Sequence, residues 1–153
     1  MTEPRSAPAL QDWMKHHIAR YLATDGEEGY LWDAGLGGGE AGKMVPTLLL
    51  TTTGRKSGEP LTLPLIFCRT DNGYAVIASK GGSPAHPSWY LNLQANPAVD
   101  VQVKADKFRA RARTAGADER AALWKKMVEI YPPYERYQVG TDRQIPMVVL
   151  ERV

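Results

Sequence analysis

From Pro46 to Val153 the apolar residues recur at the period of a strand, in short runs broken by turn signals, and no other feature restricts the chain as much. Thr47 to Thr53 reads as one strand, with GRKSGEP as the turn after it. Leu61 to Thr70 reads as a second, and Asp71-Asn72-Gly73 turns into a third at Tyr74 to Ser79. Val99 to Lys104 alternates Val99, Val101 and Val103 against Asp100 and Gln102, and Lys107 to Thr114 alternates cations with Phe108, Ala110 and Ala112, the pattern of a hairpin. Ile145 to Glu151 is a sixth strand. Short strands must pair or cover their edges, so the expected fold is α+β: a six-stranded antiparallel barrel with two or three flanking helices.

The helical period appears in three places. Leu10, Trp13, Met14, Ile18, Tyr21 and Leu22 share one face, with Gln11, Lys15, His16 and Arg20 on the other. His86 to Gln94 forms a short helix that stops before Asn96-Pro97, because proline disfavours helical backbone in the residue before it. Asp118 caps a helix to about Tyr131, where Pro132-Pro133 ends it. The glycine-rich stretch from Gly26 to Gly42 reads as a mobile linker or cover. The expected division is therefore residues 1–43 as amphipathic helix and linker, and residues 44–153 as the barrel.

A chain of 153 residues holds one core, which excludes two full catalytic domains. A net charge of +2 is too small to dictate a nucleic-acid partner. Cys68 is the only cysteine, which excludes an internal disulfide and a thiolate-rich metal site, and its apolar strand makes it a small core residue. MTEPRSAPAL lacks the basic and apolar regions of a secretory signal, so a cytoplasmic protein is expected, with peripheral lipid contact through the first helix as the alternative. Gly37 to Lys43 has the spacing of a phosphate-binding loop, but Met44 replaces the magnesium-binding hydroxyl and a strand follows where a helix is needed. His16, His17 and His86 have neither the spacing nor the cysteines of a metal site and are expected at the surface.

Two bends carry anion-binding chemistry. In TTTGRKSGEP, Gly54 frees the backbone while Arg55 and Lys56 place two cations together; in ASKGGSP, Ser79 and Lys80 precede Gly81-Gly82 and a helix start. Either could be an ordinary turn, but two in one small domain suggest a phosphorylated ligand. Tyr131, Tyr134 and Tyr137, spaced by three across the two prolines, can line a pocket or simply pack a helix end. Lys107, Arg109, Arg111 and Arg113 share one face of a strand, and with only Phe108 between them they lack the stacking platform of a nucleic-acid binder. A solvated outer face is the expectation.

These segments together resemble the deazaflavin-dependent nitroreductase and quinone reductase family, split β-barrel oxidoreductases of actinobacteria that use coenzyme F420, an 8-hydroxy-5-deazaflavin. The resemblance runs from about Gly37 to Val153 through TTTGRKSG, ASKGG, PSWYLNLQANP, YPPYERYQ and TDRQIPMVVLE, in that order. It implies a split barrel related to FMN-binding reductases, and hydride transfer from reduced F420 to a quinone, activated enone or nitroaromatic. FMN on the same barrel, or a carrier that binds deazaflavin without turnover, are the alternatives. By resemblance, Gly54, Arg55, Lys56 and Lys80 surround the coenzyme phosphate and acidic tail. Pro64, Ala78, Ser79, Gly81, Trp89 and Asn92 border the deazaflavin, while Ser79, Tyr131, Tyr134 and Tyr137 orient the substrate. No metal is implied, and the protein is expected as monomer or homodimer. Leu61 stands where members often carry arginine, which removes one anion contact, and Ile66 stands where nitroimidazole-reducing members place tyrosine, which counts against that activity.

Overall fold

The computed structural model describes residues 12–153. Leu10 and Gln11 of the first expected helix lie outside the described residues. Eight strands are present: β1 (Leu31–Asp33), β2 (Met44–Thr53), β3 (Pro60–Ile66), β4 (Cys68–Thr70), β5 (Gly73–Ile77), β6 (Ala98–Val103), β7 (Asp106–Thr114) and β8 (Met147–Arg152). Four α-helices flank them: α1 (Asp12–Thr24), α2 (Ser88–Ala95), α3 (Ala117–Ile130) and α4 (Pro133–Val139). The α+β antiparallel barrel is as expected, with two more short strands and one more helix than the six strands and two or three helices read from the pattern.

The extra strands have separate causes. β1 arises inside the glycine-rich stretch, where Leu31 to Asp33 pair with Pro46 to Met44. The expected strand from Leu61 to Thr70 is broken at Phe67: β3 pairs with β2, whereas β4 pairs with β5. Phe67 is buried and meets Tyr74 edge-on at 5.1 Å, so the side chain is pinned in the barrel while the backbone changes partners. The sheet otherwise runs β2-β6-β7-β8-β5, every pair antiparallel. β3 and β5 do not pair with each other, and the barrel is split between them. The extra helix α4 follows the proline pair because Pro133, with its fixed φ, suits a first helical turn.

Alternation gives the sheet two apolar faces. Val148 and Leu150 point with Leu48, Leu50, Val76 and Val99 into the barrel; Met147 and Val149 point with Ala75 and Ile77 under α3 and α4. Helix α3 contributes Leu123 and Met127 to that second core. The cationic face of β7 is largely ion-paired: Lys107 faces Asp25, Arg109 bonds Asp100 at 3.0 Å, and Arg113 bonds Glu119 and Glu151.

Helix α1 is fastened to the sheet by Tyr21, which is fully buried. Its hydroxyl donates to the Thr47 carbonyl at 3.0 Å and accepts the Lys104 N–H at 2.9 Å. The chain then reverses at Gly26, where φ is 83° and a Cβ would stand 2.6 Å from the Lys104 Cα, so only glycine fits. Among the described residues, no helix is long and apolar enough to cross a membrane. Tyr21→Phe keeps the ring but removes both hydrogen bonds, and is expected to lower the unfolding free energy in urea by about 1–2 kcal/mol.

Candidate active site

The split between β3 and β5 opens into a cavity of about 460 Å³, within the range of small-molecule sites. Leu63, Pro64, Leu65 and Ile66 form its floor. Ile77, Ser79, Lys80 and Gly81 form one wall, and Tyr131, Tyr134 and Tyr137 another. Trp13, Met14 and His17 of α1 and the 3₁₀ turn Ala34–Gly37 roof it. Its lining is mostly apolar, and among the described residues it includes one lysine, Lys80, and no carboxylate.

The first expected anion bend lies where β2 turns into β3. The Gly54 N–H donates to the Glu59 carbonyl and the Gly58 N–H to the Gly54 carbonyl, at 2.8 and 2.9 Å. Asn92, buried in α2, holds this bend from behind: its Oδ1 accepts the Arg55 N–H at 3.1 Å and Arg55 Nη1 at 2.9 Å, while its Nδ2 donates to Thr52 Oγ1. Gly54, Arg55 and Lys56 are not in the cavity lining but stand where its floor strand begins, since Thr53 pairs with Pro60. Pro60 to Ile66 is six residue steps at about 3.3 Å each, so the floor extends roughly 20 Å from this bend. Among the described residues, Arg55, Lys56 and Lys80 form no ion pair with a carboxylate.

The second bend follows β5. Lys80, Gly81 and Gly82 take φ values of 47°, 64° and 84°, three successive left-handed residues. For lysine this conformation costs about 1 kcal/mol or more, and the surroundings must hold it. Arg143 does so. Its Nε donates to the Ser83 carbonyl at 2.8 Å, its Nη2 to the Ser79 carbonyl at 2.7 Å, and its Nη1 to the Ala78 carbonyl at 3.3 Å and His86 Nδ1 at 3.0 Å. A planar fork that reaches three carbonyls fixes the bend in a way lysine cannot. At its far end Gly82 is pressed on α4, where a Cβ would lie 2.9 Å from the Tyr137 carbonyl.

The three tyrosines converge, as their spacing allowed, but two hydroxyls are already engaged. Tyr131 donates to the Gly37 carbonyl at 2.5 Å and Tyr137 to the same oxygen at 3.0 Å. A Cβ on Gly37 would stand 2.6 Å from both the Tyr131 hydroxyl and the Trp32 ring, so the turn can approach the tyrosines only as glycine. Tyr134 meets the Tyr131 and Tyr137 rings edge-on at 4.9 and 6.1 Å, and among the described residues its hydroxyl has no hydrogen-bond partner. Burial, followed by the neighbouring phenols, pushes Tyr131 and Tyr134 well above the usual tyrosine range. Both stay neutral donors at physiological pH.

Of the residues singled out in the sequence, Pro64, Ser79, Lys80, Gly81, Trp89 and the three tyrosines line the cavity. Gly54, Arg55 and Lys56 stand beyond its end, and Ala78 and Asn92 are buried behind the bends. Leu61 packs on the barrel core, whereas Ile66 is part of the floor. Trp13, Met14, His17, Trp32 and Arg143 were not foreseen as site residues. His17, expected at the surface, is half-buried and lines the roof.

The family model described as F420H(2)-dependent quinone reductase matches residues 13–152. The chain belongs to this family. An F420H(2)-dependent quinone reductase of Mycobacterium tuberculosis is 36% identical over 146 residues, covering 94% of this chain and 98% of that one. A solved F420-H2 dependent reductase, FDR-A, is 48% identical with a TM-score of 0.65 over 69% of this chain and 94% of its own. A solved domain-swapped dimer is 41% identical with a TM-score of 0.67, covering 92% and 98%. For an F420H(2)-dependent quinone reductase the donor set is suitable: an apolar slot for a ring system, and two bends whose cations pair with no carboxylate among the described residues, for an anionic tail. Arg143→Lys keeps the charge but loses the fork. Hydrogen exchange at the Gly82 and Ser83 amides, which close the second bend on Ser79 and Lys80, is expected to speed up about tenfold or more.

Proposed function

We propose that this chain reduces quinones with coenzyme F420H2, the observation that carries this reading being one apolar cavity with Lys80 on its wall and the Arg55-Lys56 bend beyond its floor. When bound, the coenzyme supplies a hydride. Arg55, Lys56 and Lys80 hold its phosphate and acidic tail, Asn92 and Arg143 keep the two bends in place, and Pro64, Gly81 and Trp89 border its ring. Ser79 and the unpartnered Tyr134 hydroxyl hydrogen-bond the acceptor oxygen on which negative charge grows. Tyr131 and Tyr137 keep the roof turn on the cavity through Gly37, and the segment 12–43 serves as the cover that excludes water.

Activated enones and nitroaromatics suit the same wall, because each develops charge on an oxygen that Tyr134 can serve. Ile66 in the floor offers no hydroxyl, which favours quinones over nitroimidazoles. We infer assembly as a homodimer from the domain-swapped relative. Contact of α1 with lipid is supported by Trp13, which is 49% exposed.

Anaerobic mixing of the protein with reduced F420 and menadione is the test of activity: oxidation of the coenzyme faster than in a protein-free control is expected, and no acceleration defeats the reading. Replacing Arg55, Lys56 and Lys80 together by Ala should weaken coenzyme binding by at least about tenfold, since charge-assisted hydrogen bonds contribute about 1.5–3 kcal/mol each. Tyr134→Phe should lower kcat with menadione about tenfold or more and leave coenzyme affinity unchanged.

A further inference from the structure

Reduction of a quinone needs a proton as well as a hydride, and the cavity wall contains few groups able to give one. Its ionisable side chains are His17, Lys80, Tyr131, Tyr134 and Tyr137. Burial pushes the Tyr131 and Tyr134 phenols up, away from the neutral range, whereas imidazole is the side-chain type that ordinarily exchanges its proton there. We propose that His17 of α1 is the catalytic acid that protonates the reduced acceptor. This inference rests on the quinone reductase reading.

Strand pairing puts the ring beside the end of the cavity floor that lies farthest from the Arg55 bend. His17 Nε2 lies 3.4 Å from Thr47 Oγ1, and Thr47 pairs with Ile66, the floor residue farthest from the Arg55 bend. The Thr47 hydroxyl in turn donates to the Gly29 carbonyl at 2.6 Å, so the rim that holds the imidazole is itself held. His17 and Tyr21 stack at 6.4 Å, and Tyr21 fastens the helix that carries both. Against the ring stand the Tyr21 phenol on its own helix, Thr47 on β2 and the Gly29 carbonyl of the following loop; the other titratable side chains on the cavity lining, among the described residues, are Lys80 and the three tyrosines. Lys15 and His16 on α1 are exposed. Among the described residues, no carboxylate lines the cavity to trap the imidazole in its charged form. Burial lowers the His17 pKa below the usual histidine value, opposed in part by the Gly29 carbonyl, which makes its imidazolium a stronger acid.

The step balances. The reductant is the reduced deazaflavin, oxidised by loss of a hydride and of a proton to solvent. A quinone that gains the hydride becomes a hydroquinone monoanion. One imidazolium N–H bond breaks, one O–H bond forms on the anion, and neutral His17 regains a proton from water. An acid catalyst must be protonated to act, so the rate is full below the His17 pKa and falls as pH rises through it.

The test combines kinetics with a measurement that needs no turnover. Across about pH 5 to 8, kcat/KM of the wild type for menadione should fall toward about tenfold per pH unit above the His17 pKa, while His17→Gln should be slower by at least about tenfold at low pH and nearly flat. The coenzyme affinity of His17→Gln, read by fluorescence, should stay within about twofold, because the variant does not touch the cationic bends. By NMR of the wild-type protein, the His17 ring should titrate below about 6.5, and adding 1-naphthol, a mimic of the product whose O–H donates to the neutral imidazole and whose ring excludes water, should move that titration further down. A His17→Gln variant with the wild-type pH slope, or a His17 titration unmoved by 1-naphthol, overturns the proposal. A wild type that oxidises no F420H2 at any pH overturns instead the reading on which it rests.

Discussion

At Phe67 the chain leaves one edge of the sheet and joins the other, and the site exists because of that change of partner. β3 remains bonded to β2 while β4 joins β5, so two strand edges face each other unpaired across the barrel. An open edge inside a protein must be covered. Here the cover is α1 with the Gly37 turn on one side and the tyrosines of α3 and α4 on the other, and the space they enclose is the cavity. Pinning the Phe67 ring against Tyr74 therefore fixes both the fold and the opening in it.

The two cationic bends are built differently. Around Arg55 a buried amide, Asn92, accepts hydrogen bonds from the cation's own backbone and side chain, which aims the guanidinium without neutralising it. Around Lys80 the support is a second cation, Arg143, bonded to carbonyl oxygens and to His86. Neither support is a carboxylate. Among the described residues, Arg55 and Lys80 thus carry positive charge that no carboxylate pairs, Lys80 at the cavity wall and Arg55 exposed beyond its end. The roof follows the same logic in neutral form: Gly37 engages Tyr131 and Tyr137, and among the described residues the Tyr134 hydroxyl is left without a partner.

Much of this was legible in local pattern. The strand period predicted β2, β5, β6, β7 and β8, and the two bends and three tyrosines were named from composition and spacing. The break at Phe67 was not, because Leu61 to Thr70 reads as one continuous strand and the change of partner is a long-range event. β1 was hidden by its glycine-rich neighbours, whose flexibility the fold overrides by pairing Leu31 to Asp33 with β2. Arg143 sits more than sixty residues from the bend it holds, and only its place in the TDRQIP segment hinted at a role. His17 was expected at the surface because the histidines lack the spacing and the cysteines of a metal site, a criterion that does not say which face of the helix each one occupies. Ala78 and Asn92 belong behind the site, a distinction of depth that sequence spacing does not carry.

The central claim is that the cavity and its two bends select a deazaflavin with an acidic tail. Titration of oxidised coenzyme F420, and separately of FMN, into the protein, followed by fluorescence, measures that selection directly. Saturable binding of F420 at least about a hundredfold tighter than FMN, roughly 2.7 kcal/mol of discrimination, is the predicted result. Equal or tighter binding of FMN, or a protein that is yellow as purified, would contradict the account.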